Sequence, residues 1–145
     1  MGDKGVVDIA QLVADYLRQL IPQADMERFA SGDEREAWRK RYWHSPVEFA
    51  RDHYKWDRGK FLAPYQQDVL NTLATHKRVA TYGCRGNGKT SVASHAVIWF
   101  CLTRDGFTDW KCPITAGGYR QLEKYLFPEI HKWARRLRWD RVGRR

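Results

Sequence analysis

Long apolar runs are missing from this chain. No stretch approaches the ~18 residues needed to cross a bilayer, so no membrane partner is expected. The opening residues, Met1-Gly2-Asp3-Lys4, lack the apolar core of a secretory signal. Cysteine is scarce: Cys84, Cys101 and Cys112 are the three, and none stands in a C-x-x-C or Cys/His metal spacing. The five histidines are scattered. These absences speak against a disulfide framework and a zinc site, and favour free thiols in a reducing compartment. Internal repeats and low-complexity tracts are absent too. Acid is in deficit, with 17 Asp and Glu against 26 Lys and Arg, a formal charge of +9.

What is present suits one packed domain. The chain has 145 residues, 43% of them hydrophobic, which argues against a disordered tail. A soluble, intracellular, basic, tryptophan-rich globular domain is the expectation. The charge is uneven. Residues 119–145 hold nine basic and three acidic side chains, six of the nine net positive charges. Such a segment suits contact with a polyphosphate, although a solvated helix face would look the same.

Apolar spacing predicts a helix over Val6–Leu20, closed by Pro22. A charged helical stretch follows from Asp25 to Trp43, with a break at Ser31-Gly32. Ser45-Pro46-Val47-Glu48 reads as a capping box that opens a short helix to about Tyr54. Pro64 opens another, to about Thr75, with Val69, Leu70, Leu73 and Ala74 on its buried face. Arg78–Tyr82 and Lys111–Ala116 are β-prone runs. Between them a helix is expected from Lys89 to about Thr103, and a last helix from about Tyr119 to Leu137. The order strand, loop, helix, strand, helix predicts a parallel right-handed unit.

The loop between the first strand candidate and its helix is the most specific feature. Gly83-Cys84-Arg85-Gly86-Asn87-Gly88-Lys89-Thr90 fits G-x-x-x-x-G-K-[ST] at every fixed position. Glycines let such a backbone wrap closely and aim N–H groups at phosphate oxygens. The helix N-terminus adds its positive dipole end. Lys89 is placed to charge-pair with the β- and γ-phosphates, and the Thr90 hydroxyl to ligate Mg²⁺. Ser91 completes the candidate nucleotide-binding run from Gly83. Arg85 and Lys89 are the candidate catalytic residues, Arg85 as a clamp on the γ-phosphate; an Arg85 paired with a nearby acid is the structural alternative. ATP and Mg²⁺ are the implied cofactors.

Residues 85–90 resemble the phosphate loop of the large terminase subunit, the ATPase that packages DNA in tailed bacteriophages. Pro64-Tyr65-Gln66-Gln67-Asp68 looks like that family's adenine-recognition motif. An amide at Gln66 could offer a donor and an acceptor to the N6/N7 edge of adenine, with Tyr65 stacked on the base. Thr115-Ala116 with Gln121 resembles the strand and continuation that follow in terminases, and Glu129–Trp133 their basic, tryptophan-containing helix. The resemblance spans residues 56–137. It implies an α/β fold, a P-loop NTPase core with a parallel sheet and flanking helices, here incomplete and preceded by an N-terminal helical extension. Residues 1–57 would be that extension and 58–145 the N-terminal portion of the ATPase domain. The partners it implies are double-stranded DNA, the small terminase subunit, the portal protein and sister subunits in a ring motor. The location it implies is the host cytoplasm of a viral or prophage protein.

An ATPase of this class also needs an apolar strand ending in Asp-Glu, to support Mg²⁺ and activate water. After Thr90 the acids are Asp105, Asp109, Glu123, Glu129 and Asp140, and none ends such a run. A fragment of the parent ATPase, inactive alone, is therefore expected. A helicase or translocase of the same NTPase class, and a non-catalytic nucleotide-binding module, are the alternatives.

Overall fold

The computed structural model describes residues 32–142. The helix expected over 6–20, the Asp25–Ser31 part of the second, and Arg144 and Arg145 lie outside the described residues.

Helix α1 (Gly32–Tyr42) carries Asp33 and Glu34 in its first turn and Arg39, Lys40 and Arg41 in its last. Each set of charges suits its end of the helix dipole. Trp38 and Tyr42, one turn apart, are its buried residues. Helix α2 (Pro46–His53) starts on a proline, as the sequence predicts. The expected capping box is not made, because Ser45 gives no side-chain cap bond. Its Phe49 and His53 rings stack 4.8 Å apart and reach the rings of Trp38 and Tyr42. Helix α3 (Pro64–Thr75) buries Leu70 fully.

Helix α4 (Lys89–Arg104) lies at the centre. Val92, His95, Val97, Ile98, Trp99 and Cys101 are buried along it. Such all-round burial needs cover on several sides, and α1, α2, α3 and the last helix supply it. That last helix has three parts: α5 (Tyr119–Gln121), a π-helical turn (Leu122–Leu126) and α6 (Phe127–Arg135). Sequence periodicity gives one regular helix here. Pro128 supplies the reason for the difference. It has no N–H for residue 124 and its ring crowds that carbonyl, and a wider turn just before it relieves both. After α6 the chain returns to α2. Lys55 N–H donates to Arg136 O and Arg138 N–H to His53 O, both at 2.7 Å, forming an isolated antiparallel bridge between Tyr54 and Leu137.

The expected α/β fold with a parallel P-loop sheet is not found: the described residues are helical and contain no strand. Residues 76–84 and 110–116 run without regular structure. β-propensity is local, but a strand exists only by pairing with a neighbour. Neither segment pairs, and most of their residues, Tyr82 fully, face solvent. Val79, Cys112 and Ile114 are half-buried instead, the last two packed on a helical core. That core joins Trp38, Phe49 and Tyr54 to Leu70, Ile98 and Trp133, and so draws on both sides of residue 57.

Candidate functional site

The loop Gly83–Gly88 stands exposed or half-exposed at the head of α4. Gly86 and Gly88 have φ of 83° and 85°, a region costly for side chains other than glycine. Gly88 is the N-cap of α4, so two of the motif's glycines make the turn that delivers the chain into the helix. The first N–H groups of α4 lack intrahelical partners and face the same end as the loop.

Lys89 folds back over the loop. Its ammonium donates to Gly83 O at 2.8 Å, Cys84 O at 2.5 Å and Asn87 Oδ1 at 3.1 Å. All three of its donors are used, on acceptors a triphosphate's oxygens can replace. No ion pair holds it among the described residues, so its charge is not neutralised by the protein. Arg85 is exposed and likewise has no ion pair among the described residues. Cys84 is an exposed free thiol, and Thr90 is exposed on the first turn of α4.

Tyr65 and Gln66 are brought to this loop. A Cβ added to Gly88 would lie 2.7 Å from Gln66 Nε2 and 3.2 Å from Tyr65 Oη. Both ends of the Gln66 amide are engaged: Oε1 accepts from Ala63 N–H at 2.9 Å, and Nε2 donates to Gly88 O at 3.5 Å. Here Gln66 fastens the start of α3 to the loop rather than presenting a free edge to a base. The Ser91 hydroxyl accepts from Trp133 Nε1 at 3.0 Å, so it belongs to the contact with α6.

Beside the loop, α3, residues 79–82 and α4 enclose a groove of about 520 Å³ that reaches Lys89 and Asn87. Val69, Leu73, Val92 and Ala96 give it apolar walls, and Asp68 is the one carboxylate among its lining residues. The sequence puts Asp68 in the adenine-like segment without giving it a role, and Trp133 in the last helix without its tie to Ser91, which spans 42 residues.

A magnesium ion carried by a nucleotide fits the residues present. Among the described residues no group of three His, Cys, Asp or Glu could cage a metal. Mg²⁺ held mainly by phosphate and water needs only a ligand or two from protein, and the exposed Thr90 hydroxyl at the loop is one.

Two of the acids after Thr90 are already paired within the fold. Asp105 pairs with Arg35. Glu129 accepts from Trp133 Nε1 at 2.8 Å and from Lys132 at 3.1 Å. Behind the site, His95 is buried among Tyr54, Trp56 and Trp133, their ring centroids 4.8, 5.8 and 4.2 Å from its own. Neither of its ring nitrogens has a hydrogen-bond partner. Burial, with a smaller push from Lys132, lowers its pKa to about 3.

No described helix is long and apolar enough to cross a membrane. Comparisons with known protein families, curated proteins and solved structures found no match.

Proposed function

We propose that residues 83–90 bind the phosphates of ATP with Mg²⁺, and that the chain is the nucleotide-binding part of a DNA-packaging ATPase of the terminase kind. The observation that carries the nucleotide reading is Lys89. Its ammonium is folded over a turn built on two left-handed glycines, at a helix N-terminus, with no carboxylate to neutralise it. The free N–H groups and dipole of a helix N-terminus, with an unneutralised ammonium, together make an anion site.

In this reading the β- and γ-phosphates replace Gly83 O, Cys84 O and Asn87 Oδ1 as acceptors for Lys89. Mg²⁺ would offset the charge of the phosphates, and Thr90 is the residue that would give it an oxygen. Arg85, exposed beside the loop, is free to approach the γ-phosphate. The apolar walls of the neighbouring groove suit the base, with Tyr65 at its rim. Gln66 reads adenine only if its bond to Gly88 O opens.

The terminase assignment rests on the resemblance of the loop, the Tyr65-Gln66 segment and the Thr115–Gln121 run. Double-stranded DNA, the small terminase subunit, a portal ring, sister subunits and a host-cytoplasmic location come with it as parts of the proposal. Asp68 is the one acid on the wall of the groove beside Lys89, and no apolar run ending in Asp-Glu follows Thr90 in the sequence. Hydrolysis by the 145-residue chain should therefore be slower than ~1 s⁻¹, below the range of ordinary enzymes.

The test pairs ATP binding with phosphate release, with and without Mg²⁺. Binding that Mg²⁺ strengthens, that Thr90→Val weakens only when Mg²⁺ is present, and that proceeds without turnover supports the proposal. Turnover faster than ~1 s⁻¹ that Lys89→Ala abolishes would show a complete catalytic site. Failure to bind any nucleotide would remove the ATP reading.

A further inference from the structure

On the side of the molecule built by the bridge at Tyr54 and Leu137, four arginines meet. Arg41 at the end of α1, Arg51 on α2, and Arg138 and Arg141 after α6 line one cleft of about 320 Å³. Asp52 is its only carboxylate. That carboxylate is already committed: its Oδ2 accepts from Tyr42 Oη at 2.7 Å and from Arg41 Nη2 at 3.4 Å. Arg51, Arg138 and Arg141 have no ion pair among the described residues.

Backbone hydrogen bonds place the segment that carries two of the four arginines. Arg138 N–H donates to His53 O at 2.7 Å, and Arg141 N–H to Arg138 O at 2.8 Å. Arg51 lies over the Phe61 ring, 5.1 Å from its centroid, and Arg41 over Tyr42 at the same distance. The wall between them adds no charge. His53 accepts from Trp38 Nε1 at 2.9 Å, and its Nδ1 lies 3.0 Å from Phe49 O, as fits a neutral ring donating there. Burial, first among the causes, lowers its pKa.

Helix dipoles explain a cation at the end of α1 or of α2 taken singly. They do not explain why a third segment brings two more guanidinium groups to the same cleft without an acid to meet them. Planar guanidinium forks match the oxygens of phosphate.

We propose that this cleft binds phosphate groups, and that the ligand it fits is the phosphodiester backbone of a nucleic acid. Converging cations spread over one face suit a repeating polyanion. Free phosphate or a nucleotide carries the same group and is the other source. The cleft is separate from the loop at Gly83–Thr90 and stands without the ATP reading.

The probe is a fluorescein-labelled 20-bp duplex at ~50 mM salt, low enough to strengthen phosphate contacts, titrated with the full chain. Arg138→Gln with Arg141→Gln should weaken binding about 10-fold or more and lower the salt slope by about two. A charge-matched control outside the cleft, Arg78→Gln with Arg120→Gln, should weaken it no more than about 3-fold, as a loss of net charge alone would. Arg51→Gln, on another element, should repeat the cleft's loss, and circular dichroism confirms that each variant is folded. Millimolar inorganic phosphate or ATP that fails to displace the duplex identifies the backbone as ligand; full displacement identifies the free anion. The duplex titrations themselves are made without ATP or Mg²⁺, so failure at the loop is read apart from failure here. Equal losses in cleft and control variants, or binding of neither duplex nor phosphate, would overturn the proposal.

Discussion

Trp133 donates its indole N–H to the hydroxyl of Ser91 at 3.0 Å. By that bond the last helix holds the first turn of α4, one residue beyond Thr90. The same N–H lies 2.8 Å from Glu129 Oε1, so one donor serves two acceptors on two helices. The Trp133 ring also closes the box around His95. The Gly83–Gly88 loop therefore leads into a helix whose start is braced from behind.

Trp133→Phe keeps an aromatic ring in the box and removes the donor. Ser91 Oγ and Glu129 Oε1 each lose a partner. A stability loss of about 1–2 kcal/mol is expected, the usual worth of such a bond with an acceptor left behind. Urea unfolding followed by circular dichroism checks it. A midpoint shift under ~0.3 kcal/mol, the size of an ordinary surface change, would mean that the bond does not hold α4.

The two left-handed glycines of the loop should respond differently. Gly86→Ala meets nothing within 4 Å and bears only the φ of 83°, a strain of about 1 kcal/mol. Gly88→Ala adds a Cβ 2.7 Å from Gln66 Nε2, so it must also push Gln66 away from its bond to Gly88 O. The expected order of melting temperatures is wild type, then Gly86→Ala, then Gly88→Ala. The reverse order for the two variants would contradict the placing of α3 against the loop.

Acid should weaken the fold through His95. Its folded pKa is pushed down to about 3, mainly by burial, while the unfolded chain takes up the proton near ~6.5. Stability is then fully present above pH ~6.5 and falls as pH drops from there toward 3, by up to about 1.4 kcal/mol per pH unit. His53, also lowered by burial, adds to the loss in the same direction. His95→Phe removes two nitrogens that have no partner and fills an aromatic box. Thermal melts between pH 7 and 4 should show a flatter decline for His95→Phe, with a higher melting temperature at pH 5. An unchanged slope would place the acid sensitivity elsewhere.

Where a local signal sets a feature, the sequence reports it well. Pro46, Pro64 and the Gly88-Lys89 step each begin a helix where the residues themselves limit the backbone. Gly86 and Gly88 of the loop fall at positive φ, while Gly83 does not. Arg78–Tyr82 and Lys111–Ala116 show the opposite case. Their residues favour extended backbone, but a sheet depends on partners far away in sequence, and no strand forms among the described residues. The π-helical turn before Pro128 is a compromise between a helical pattern and one missing donor, invisible to periodicity alone. The arginine cleft is still less legible. The basic surplus reads as a C-terminal feature, yet Arg138 and Arg141 meet Arg41 and Arg51 only once the chain has folded back on α2. Arg136, counted in that surplus, is instead paired with Asp57 at 3.0 Å.

Under the proposed function, Lys89 and its loop hold the phosphates of a nucleotide. Calorimetric titration of ATP with Mg²⁺ into the wild-type chain and into Lys89→Ala tests it most directly. Lys89 has no carboxylate partner among the described residues, and water can reach the three acceptors it leaves in the exposed or half-exposed loop, so its removal should leave the circular-dichroism melt nearly unchanged. Saturable binding to wild type is expected, with a loss of about 10-fold or more in Lys89→Ala, the size expected when a charge-assisted contact of ~1.5–3 kcal/mol is deleted. Equal affinity in the two proteins, or no heat of binding in wild type, would contradict it.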